Sequence, residues 1–287
     1  PDNYVEAINW INAVQEECEK SAYGIPYLNS TDQYQNFDIP DNDGIVASMD
    51  MDLIRRAGNV QAKTWRATGV RCLLGPQIDI STNPTYCRYS GSASEDPALN
   101  RDFAKAFITG MQSTFGDEAC TDDQGWGSES ILGMAKHYCG AGAVEGGRND
   151  HTDGGKYNVF PGDNFRAHLV PFLDGALNLG SKTEKCASIM PNYGIAYDED
   201  QKYGENVGGG FSELRTRYLR NSGWDGMVTT DWYTHAPQYT EIAAGNDVKM
   251  GCGDAAHTLR MMREGKLSRE NVVVSVRRLL EMILKLR

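Results

Sequence analysis

The chain has 287 residues, which is enough for one large domain or two small ones. Lysine and arginine number 28 against 39 aspartates and glutamates, so the formal net charge is −11. This acidic balance argues against a general nucleic-acid binder and against docking on anionic lipid. Apolar residues make up 40% of the chain, and no apolar run approaches the roughly 20 residues of a membrane span.

The seven cysteines are widely spread, and none lies in a C-x-x-C pair. This spacing gives little support to a zinc site or a redox site. An odd number cannot all pair within one chain. We expect mostly buried free thiols, with one or two disulfides as the alternative, so the redox compartment stays open.

Apolar runs of strand length alternate along the chain with amphipathic segments. The predicted strands lie at residues 24–28, 70–76, 131–138, 186–193, 226–232 and 247–250. The predicted helices lie at residues 4–20, 50–68, 96–115, 163–179, 210–221, 236–244, 254–264 and 269–286. Asp50 and Ser268 are candidate N-caps of two of these helices.

Strands that alternate with helices predict βαβ units and a parallel sheet. No glycine-rich phosphate loop follows the first strand. Polar residues instead follow several strands, where the active site of a barrel would lie. They are Asp32, Lys136, His137, Tyr193 and Asp231. Six strands are visible where a closed barrel needs eight. The glycine-rich stretches 140–155 and 204–210 are predicted to be long loops, of the kind that is often functional.

Asp231 and Trp232 close the apolar run 226–232. A strand-end carboxylate can attack an anomeric carbon, and an indole can stack on a sugar face. A helix N-cap aspartate beside a packed tryptophan is the alternative interpretation.

Four more residues are candidates for binding hydroxyl groups: Asp32, Arg88, Lys136 and His137. Neighbours in a regular strand point to opposite faces, so Lys136 and His137 share a site only where the backbone is irregular. Arg88 offers a fork of donors and Asp32 can accept from a diol. For each of them an ordinary surface, turn-capping or core role is the alternative.

At this point the chain resembles glycoside hydrolase family 3, through motifs that follow one another in the family's order along nearly all of it. They are Gly24-Ile25-Pro26 with Asp32, Gly75-Pro76-Gln77-Ile78-Asp79-Ile80 through Arg88, Glu95-Asp96-Pro97, Ala135-Lys136-His137-Tyr138, Ser188-Ile189-Met190-Pro191-Asn192-Tyr193, Trp224-Asp225-Gly226 through Trp232, and Ala244-Gly245-Asn246-Asp247.

The resemblance implies a TIM-type (β/α)8 barrel over residues 1–287 and a retaining exo-β-glycosidase that releases terminal β-D-glucose-type sugars. Asp231 would be the catalytic nucleophile and Trp232 would border the site for the leaving group. The terminal sugar would be held by Asp32, Arg88, Lys136, His137 and Tyr193. No cofactor and no metal ion are expected.

The chain also departs from the family pattern. The strand that usually precedes the 24–26 motif is missing, and so is the second α/β domain that commonly donates the acid/base glutamate. We therefore expect a possibly incomplete barrel, with the acid/base on that domain or on a companion chain. Acidic charge and scarce lysine fit a secreted or periplasmic hydrolase of β-linked glycosides.

Three alternatives stay open. A β-xylosidase of the same family would differ only in the shape of its sugar pocket. A β-N-acetylglucosaminidase would carry its acid/base within the barrel, with Asp150 and His151 in that role. Glu145 and His151 are the alternatives for a proton donor within the chain of a β-glucosidase. A non-catalytic sugar-binding barrel would bind sugar without turnover.

Overall fold

The computed structural model describes residues 4–33, 39–234, 236–251 and 253–286. Its α-helices are α1 (Tyr4–Glu19), α2 (Asn42–Val46), α3 (Met51–Ala67), α4 (Pro97–Gln112), α5 (Phe165–Val170), α6 (Glu213–Asn221), α7 (Gln238–Ala243), α8 (Ala255–Arg263) and α9 (Arg269–Leu284). Its strands are β1 (Ser30–Asp32), β2 (Cys72–Leu74), β3 (Thr114–Phe115), β4 (Asp123–Gly125), β5 (Leu132–Tyr138), β6 (Tyr157–Asn158), β7 (Ser188–Pro191), β8 (Ile195–Ala196) and β9 (Met227–Val228).

A parallel sheet of five strands forms the centre, in the order β1-β2-β5-β7-β9. A parallel bridge between Thr229 and Val248 carries the pairing one position further, so the predicted strand 247–250 is reduced to a single bridge. The two small sheets, antiparallel β3-β4 and parallel β6-β8, lie outside this order. Because the five central strands are parallel, their carboxyl ends meet at one edge of the sheet, and that edge carries the candidate site.

The first strand begins later than the sequence predicts. The prediction was residues 24–28, but β1 comprises the polar segment Ser30–Asp32 and pairs with β2. The apolar run lies before the sheet, where Gln15 of α1 bonds the backbone N–H and carbonyl of Tyr27 at 2.9 and 2.6 Å. Ile25 is 41% exposed, so this run is not buried on both faces.

The helix caps follow the sequence. Asp50 accepts hydrogen bonds from two backbone N–H groups at the start of α3, and Ser268 accepts one at the start of α9. The predicted helix 163–179 is instead divided. It runs as α5 to Val170 and then as a π-helical turn that begins at Pro171, which has no N–H for the regular helical ladder.

The outer helices α3 and α4 cross closely because glycine lies at the contact. A β-carbon on Gly58 would lie 2.4 Å from the Phe107 carbonyl oxygen, and one on Gly110 would lie 1.9 Å from that of Arg55. Phe103, Phe107 and Ile108 of α4 are fully buried against the sheet. This packing holds the outer layer against β2 and β5.

Six cysteines of the described chain are free thiols: Cys18, Cys72, Cys87, Cys120, Cys139 and Cys186. Four of them are buried, as predicted, whereas Cys87 is exposed and Cys18 half-buried. Cys252 lies outside the described residues. None of the described helices is both long and apolar enough to cross a bilayer.

Candidate active site

The seven residues singled out in the sequence form one connected group at the carboxyl edge of the sheet. Asp32 ends β1, Lys136 and His137 lie in β5, and Tyr193 follows β7. Asp231 and Trp232 follow β9, and Arg88 reaches the group from the segment after β2.

Asp231 is held through one carboxylate oxygen only. The Trp232 backbone N–H donates to Oδ1 at 2.7 Å, and the Tyr193 hydroxyl lies 3.0 Å from the same atom and shares its one proton between it and the Trp232 carbonyl oxygen. No described residue donates a hydrogen bond to Oδ2, which is buried. Nε2 of His137 lies 3.7 Å from this oxygen. The fixed oxygen orients the carboxylate, while Oδ2 is buried and keeps its acceptor capacity unused among the described residues.

Burial raises the pKa of the Asp231 carboxyl above its usual value. The Trp232 N–H, the charges of Lys136 and Arg88, and the Tyr193 hydroxyl each lower the pKa and limit the rise. These four groups therefore favour the ionised form that a nucleophile needs.

Lys136 and Asp32 form an ion pair across β2, between the ends of β5 and β1. The Lys136 side chain is almost fully buried, whereas that of Asp32 is 35% exposed. The Asp32 carboxylate therefore keeps acceptor capacity toward solvent. Both Lys136 and His137 face the site, since one pairs with Asp32 and the other lies 3.7 Å from Asp231. The pairing register of β5 with β7 shifts between Lys136 and Tyr138, which is the irregularity that the sequence analysis required.

His137 is fixed by Asp79, a residue that the sequence analysis did not select. Oδ2 of Asp79 lies 2.9 Å from both the backbone nitrogen and Nδ1 of His137. Arg88 Nη1 lies 2.7 Å from His137 Nε2. Because arginine can only donate, Nε2 of His137 accepts from Arg88. Nδ1 therefore carries the ring proton and donates a hydrogen bond to Asp79.

Burial sets the protonation of this pair. It lowers the pKa of His137 well below its usual value, and the neighbouring positive charges of Arg88 and Lys136 add to the effect. Burial also raises the pKa of the Asp79 carboxyl to about 8, against the lowering effect of the His137 N–H. His137 is therefore a neutral ring at physiological pH.

Asp79 could have been found from its motif, where it lies between Gly75-Pro76 and Arg88.

Arg88 also contacts His151, which comes from the long loop after β5. Burial lowers the pKa of Arg88, but interactions with Asp150, Tyr86, Asp231 and Asp79 together outweigh burial, and the net shift of the pKa is upward. The His151 ring packs edge-on against Tyr193 at a centroid distance of 4.8 Å. Its Nδ1 bonds the Asn149 side chain at 2.7 Å and lies 3.1 Å from Oδ1 of Asp150. The loop thus brings two further polar residues to the site.

A cleft of about 380 Å³ adjoins this group. Its walls include His151, Tyr193 and Trp232, and the predicted loop 204–210 contributes three glycines. Trp232 is 38% exposed, so its ring is available to a ligand. Glu145 is not brought to this cleft: its side chain is 56% exposed and lies 3.7 Å from Arg148. No group of three or more metal-ligating side chains occurs within the described ranges.

The model of the glycosyl hydrolase family 3 N-terminal domain matches residues 2–282 of the chain. The chain belongs to glycoside hydrolase family 3. It is 28% identical to a periplasmic beta-glucosidase/beta-xylosidase of Dickeya chrysanthemi, over 98% of this chain and 48% of the relative. It is 30% identical to probable beta-glucosidase C of Aspergillus oryzae, over 97% of this chain and 47% of the relative. The chain thus spans about half the length of these curated relatives.

Solved structures share the fold. A β-glucosidase from Erythrobacter marinus superposes with a TM-score of 0.79 at 21% identity, over 98% of this chain and 37% of that one. The β-glucosidase of Listeria innocua in complex with glucose gives 0.78 at 20% identity, over 98% and 38%. The expected TIM-type barrel is confirmed as the fold class. Within the described residues, hydrogen-bonded pairing covers five strands and one bridge of that barrel.

Proposed function

We propose that this domain is the catalytic barrel of a retaining β-glycosidase that releases terminal β-D-glucose-type sugars. The observation that carries the proposal is the state of Asp231, with Oδ1 bound by two donors and Oδ2 buried without one among the described residues. An oriented, partly desolvated carboxylate oxygen beside a sugar-sized cleft is suited to attack on an anomeric carbon.

In the proposed reaction Oδ2 of Asp231 forms a bond to the anomeric carbon while the bond to the leaving oxygen breaks. The leaving oxygen takes a proton from a general acid. Water then attacks the same carbon, loses a proton to the conjugate base, and frees Asp231, so that the sugar keeps its configuration. Lys136, Asp32 and Arg88 supply donors and an acceptor for the sugar hydroxyls. Trp232 would stack on the leaving group.

The activities of the relatives support a glucose-type sugar as substrate, and their greater length supports a further domain or companion chain. They are a beta-glucosidase/beta-xylosidase and a probable beta-glucosidase, and glucose and xylose differ in one exocyclic carbon. Since the chain spans about half of each, we propose that the general acid lies on a further α/β domain or a companion chain. The periplasmic relative and the acidic charge support a secreted or periplasmic location.

The stereochemistry of the first product tests this proposal. The folded chain is mixed with an aryl β-glucoside whose phenol is acidic enough to leave without protonation, and the sugar is followed by proton NMR. We expect β-glucose to appear first and to mutarotate later. α-Glucose as the first product would overturn the retaining mechanism. Glucose binding without turnover would favour the non-catalytic sugar-binding barrel.

One observation favours a second candidate, a β-N-acetylglucosaminidase with its acid/base in the chain. His151 lies against Tyr193, with the buried Asp150 carboxylate 3.1 Å behind its ring. His151, with Asp150 behind it, would then serve as the acid within the chain. Faster cleavage of an aryl N-acetyl-β-glucosaminide than of the matching β-glucoside, lost in His151→Asn, would support this candidate. Equal rates that survive the substitution would refute it.

A further inference from the structure

One buried ion pair, between Lys249 and Glu241, contacts the segment that follows Asp231. Lys249, in the segment 247–250, is 4% exposed in its side chain, and Glu241 of α7 is 1% exposed. Nζ of Lys249 lies 2.8 Å from Oε2 of Glu241. Neither residue belongs to the group that contacts the cleft.

Lys249 also binds the chain that leaves Asp231. Its Nζ lies 3.1 Å from the carbonyl oxygen and 2.9 Å from the hydroxyl oxygen of Thr234, and 2.9 Å from the carbonyl oxygen of Ala236. The Thr234 hydroxyl donates in turn to Oε1 of Glu241. One ammonium group and one carboxylate thus fix two backbone positions of this segment.

The anchored segment is the one that orients Asp231. Its second residue, Trp232, donates its N–H to Oδ1 of Asp231 and accepts from the Tyr193 hydroxyl at 2.6 Å. The other described backbone link is long, with Tyr233 N 3.4 Å from the Met250 carbonyl oxygen. Loss of the contacts between Lys249 and Thr234 would therefore shift the Trp232 amide and the Asp231 carboxylate that this amide holds.

A buried ion pair is weak evidence for stability, because desolvation offsets most of its attraction. Its hydrogen bonds to loop carbonyls give it a different role. We propose that Lys249 and Glu241 are positioning residues that hold residues 231–234 and Ala236 so that Asp231 meets the anomeric carbon. This inference rests on the proposed function of Asp231.

The test compares chemistry with ground-state binding. The chain is treated with 2-deoxy-2-fluoro-β-glucosyl fluoride, and the maximal trapping rate is measured beside the dissociation constant for glucose. Thr234→Val removes the hydroxyl that joins Lys249 to Glu241, and Thr234→Ser keeps it. We expect Thr234→Val to trap about 10–100-fold more slowly, since small misplacements of reacting groups cost that much. Glucose affinity should change less than about twofold, and Thr234→Ser should restore the rate.

A second variant guards against loss of the fold. Lys249→Met with Glu241→Leu replaces the pair by apolar groups of similar size, a change that is often neutral for stability. It should slow trapping at least as much as Thr234→Val. Lys285→Met, which removes a half-buried lysine beside Trp126, is the matched control and should trap at the unsubstituted rate.

Three outcomes decide the matter. Slower trapping with unchanged glucose affinity supports the positioning role. Unsubstituted trapping rates in both variants, or equal losses of trapping and of glucose affinity, would overturn it. Failure of the unsubstituted folded chain to be trapped would instead overturn the proposed function of Asp231, and the positioning role with it.

Discussion

The Tyr193 hydroxyl lies 3.0 Å from Oδ1 of Asp231 and 2.6 Å from the carbonyl oxygen of Trp232. It thereby ties the carboxylate to the backbone of the next residue. This hydroxyl and the Trp232 N–H both contact Oδ1 and leave Oδ2 without a donor among the described residues, which gives the two oxygens of one carboxylate different surroundings.

Replacing Tyr193 with phenylalanine removes one of the groups that lower the pKa of Asp231. Trapping by a fluorosugar requires the ionised carboxylate, so the rate falls as pH drops through that pKa. Because the pKa of Asp231 rises in Tyr193→Phe, we expect the acidic limb of the pH–rate profile to move to higher pH. Tyr197→Phe, an exposed tyrosine outside the site, is the control. An unmoved limb would contradict the hydrogen bond.

Lys136 and Asp32 should bind sugar as a unit. Each offers a charge-assisted hydrogen bond worth about 1.5–3 kcal/mol, so Lys136→Met and Asp32→Ala should each weaken glucose binding by roughly 10–100-fold. Since the two side chains pair with each other, the double variant should lose less than the sum. Calorimetry with glucose measures all four proteins. Strict additivity would show that the pair does not act together.

Asp79→Ala should release His137. The substitution removes the oxygen that lies 2.9 Å from both Nδ1 and the backbone nitrogen of His137. We expect trapping by the fluorosugar to slow by about 10–100-fold, since the ring loses the acceptor that fixes it. An unchanged trapping rate in the folded variant would refute the assigned role of Asp79.

His168 should make the fold sensitive to acid. It is buried on α5, its two ring nitrogens lack a hydrogen-bond partner in the described part of the chain, and burial lowers its pKa to about 4. The unfolded chain, with a histidine pKa near 6.5, binds more protons between these values, so stability falls as pH drops through that window.

We expect His168 to cost about 2 kcal/mol of stability between pH 7 and pH 5. His168→Phe, beside Phe160 at 5.2 Å, should remove that part of the loss. Urea unfolding of both proteins at the two pH values is the measurement. Equal losses in both would show that His168 is not responsible.

Much of the fold could be predicted from the sequence because its signals are local. Asp50 and Ser268 cap their helices as their positions indicate. The first strand was misplaced because burial was inferred from apolar composition, whereas β1 is polar and is defined by its pairing with Cys72 in β2. The break at Pro171 could have been expected from its missing N–H.

The sequence indicates which residues belong to the candidate site but not which of them contact one another. Ordered motifs indicated Asp231, Tyr193 and Arg88, and the structure brings them together. Asp79 and Lys249 were missed because their roles depend on contacts with distant residues, which no local pattern reports. His151 was a candidate from the sequence, but its contact with Arg88, which spans 63 positions, could not be predicted from a local pattern.

The most direct measurement is peptide mapping after trapping. The folded chain is incubated with 2-deoxy-2-fluoro-β-glucosyl fluoride, whose fluoride leaves without an acid, and then digested and analysed by mass spectrometry. The account predicts one sugar per chain, attached to Asp231, and none in Asp231→Ala, while the exposed Asp52→Asn control labels normally. A label on another carboxylate, or undiminished labelling of Asp231→Ala, would contradict the account.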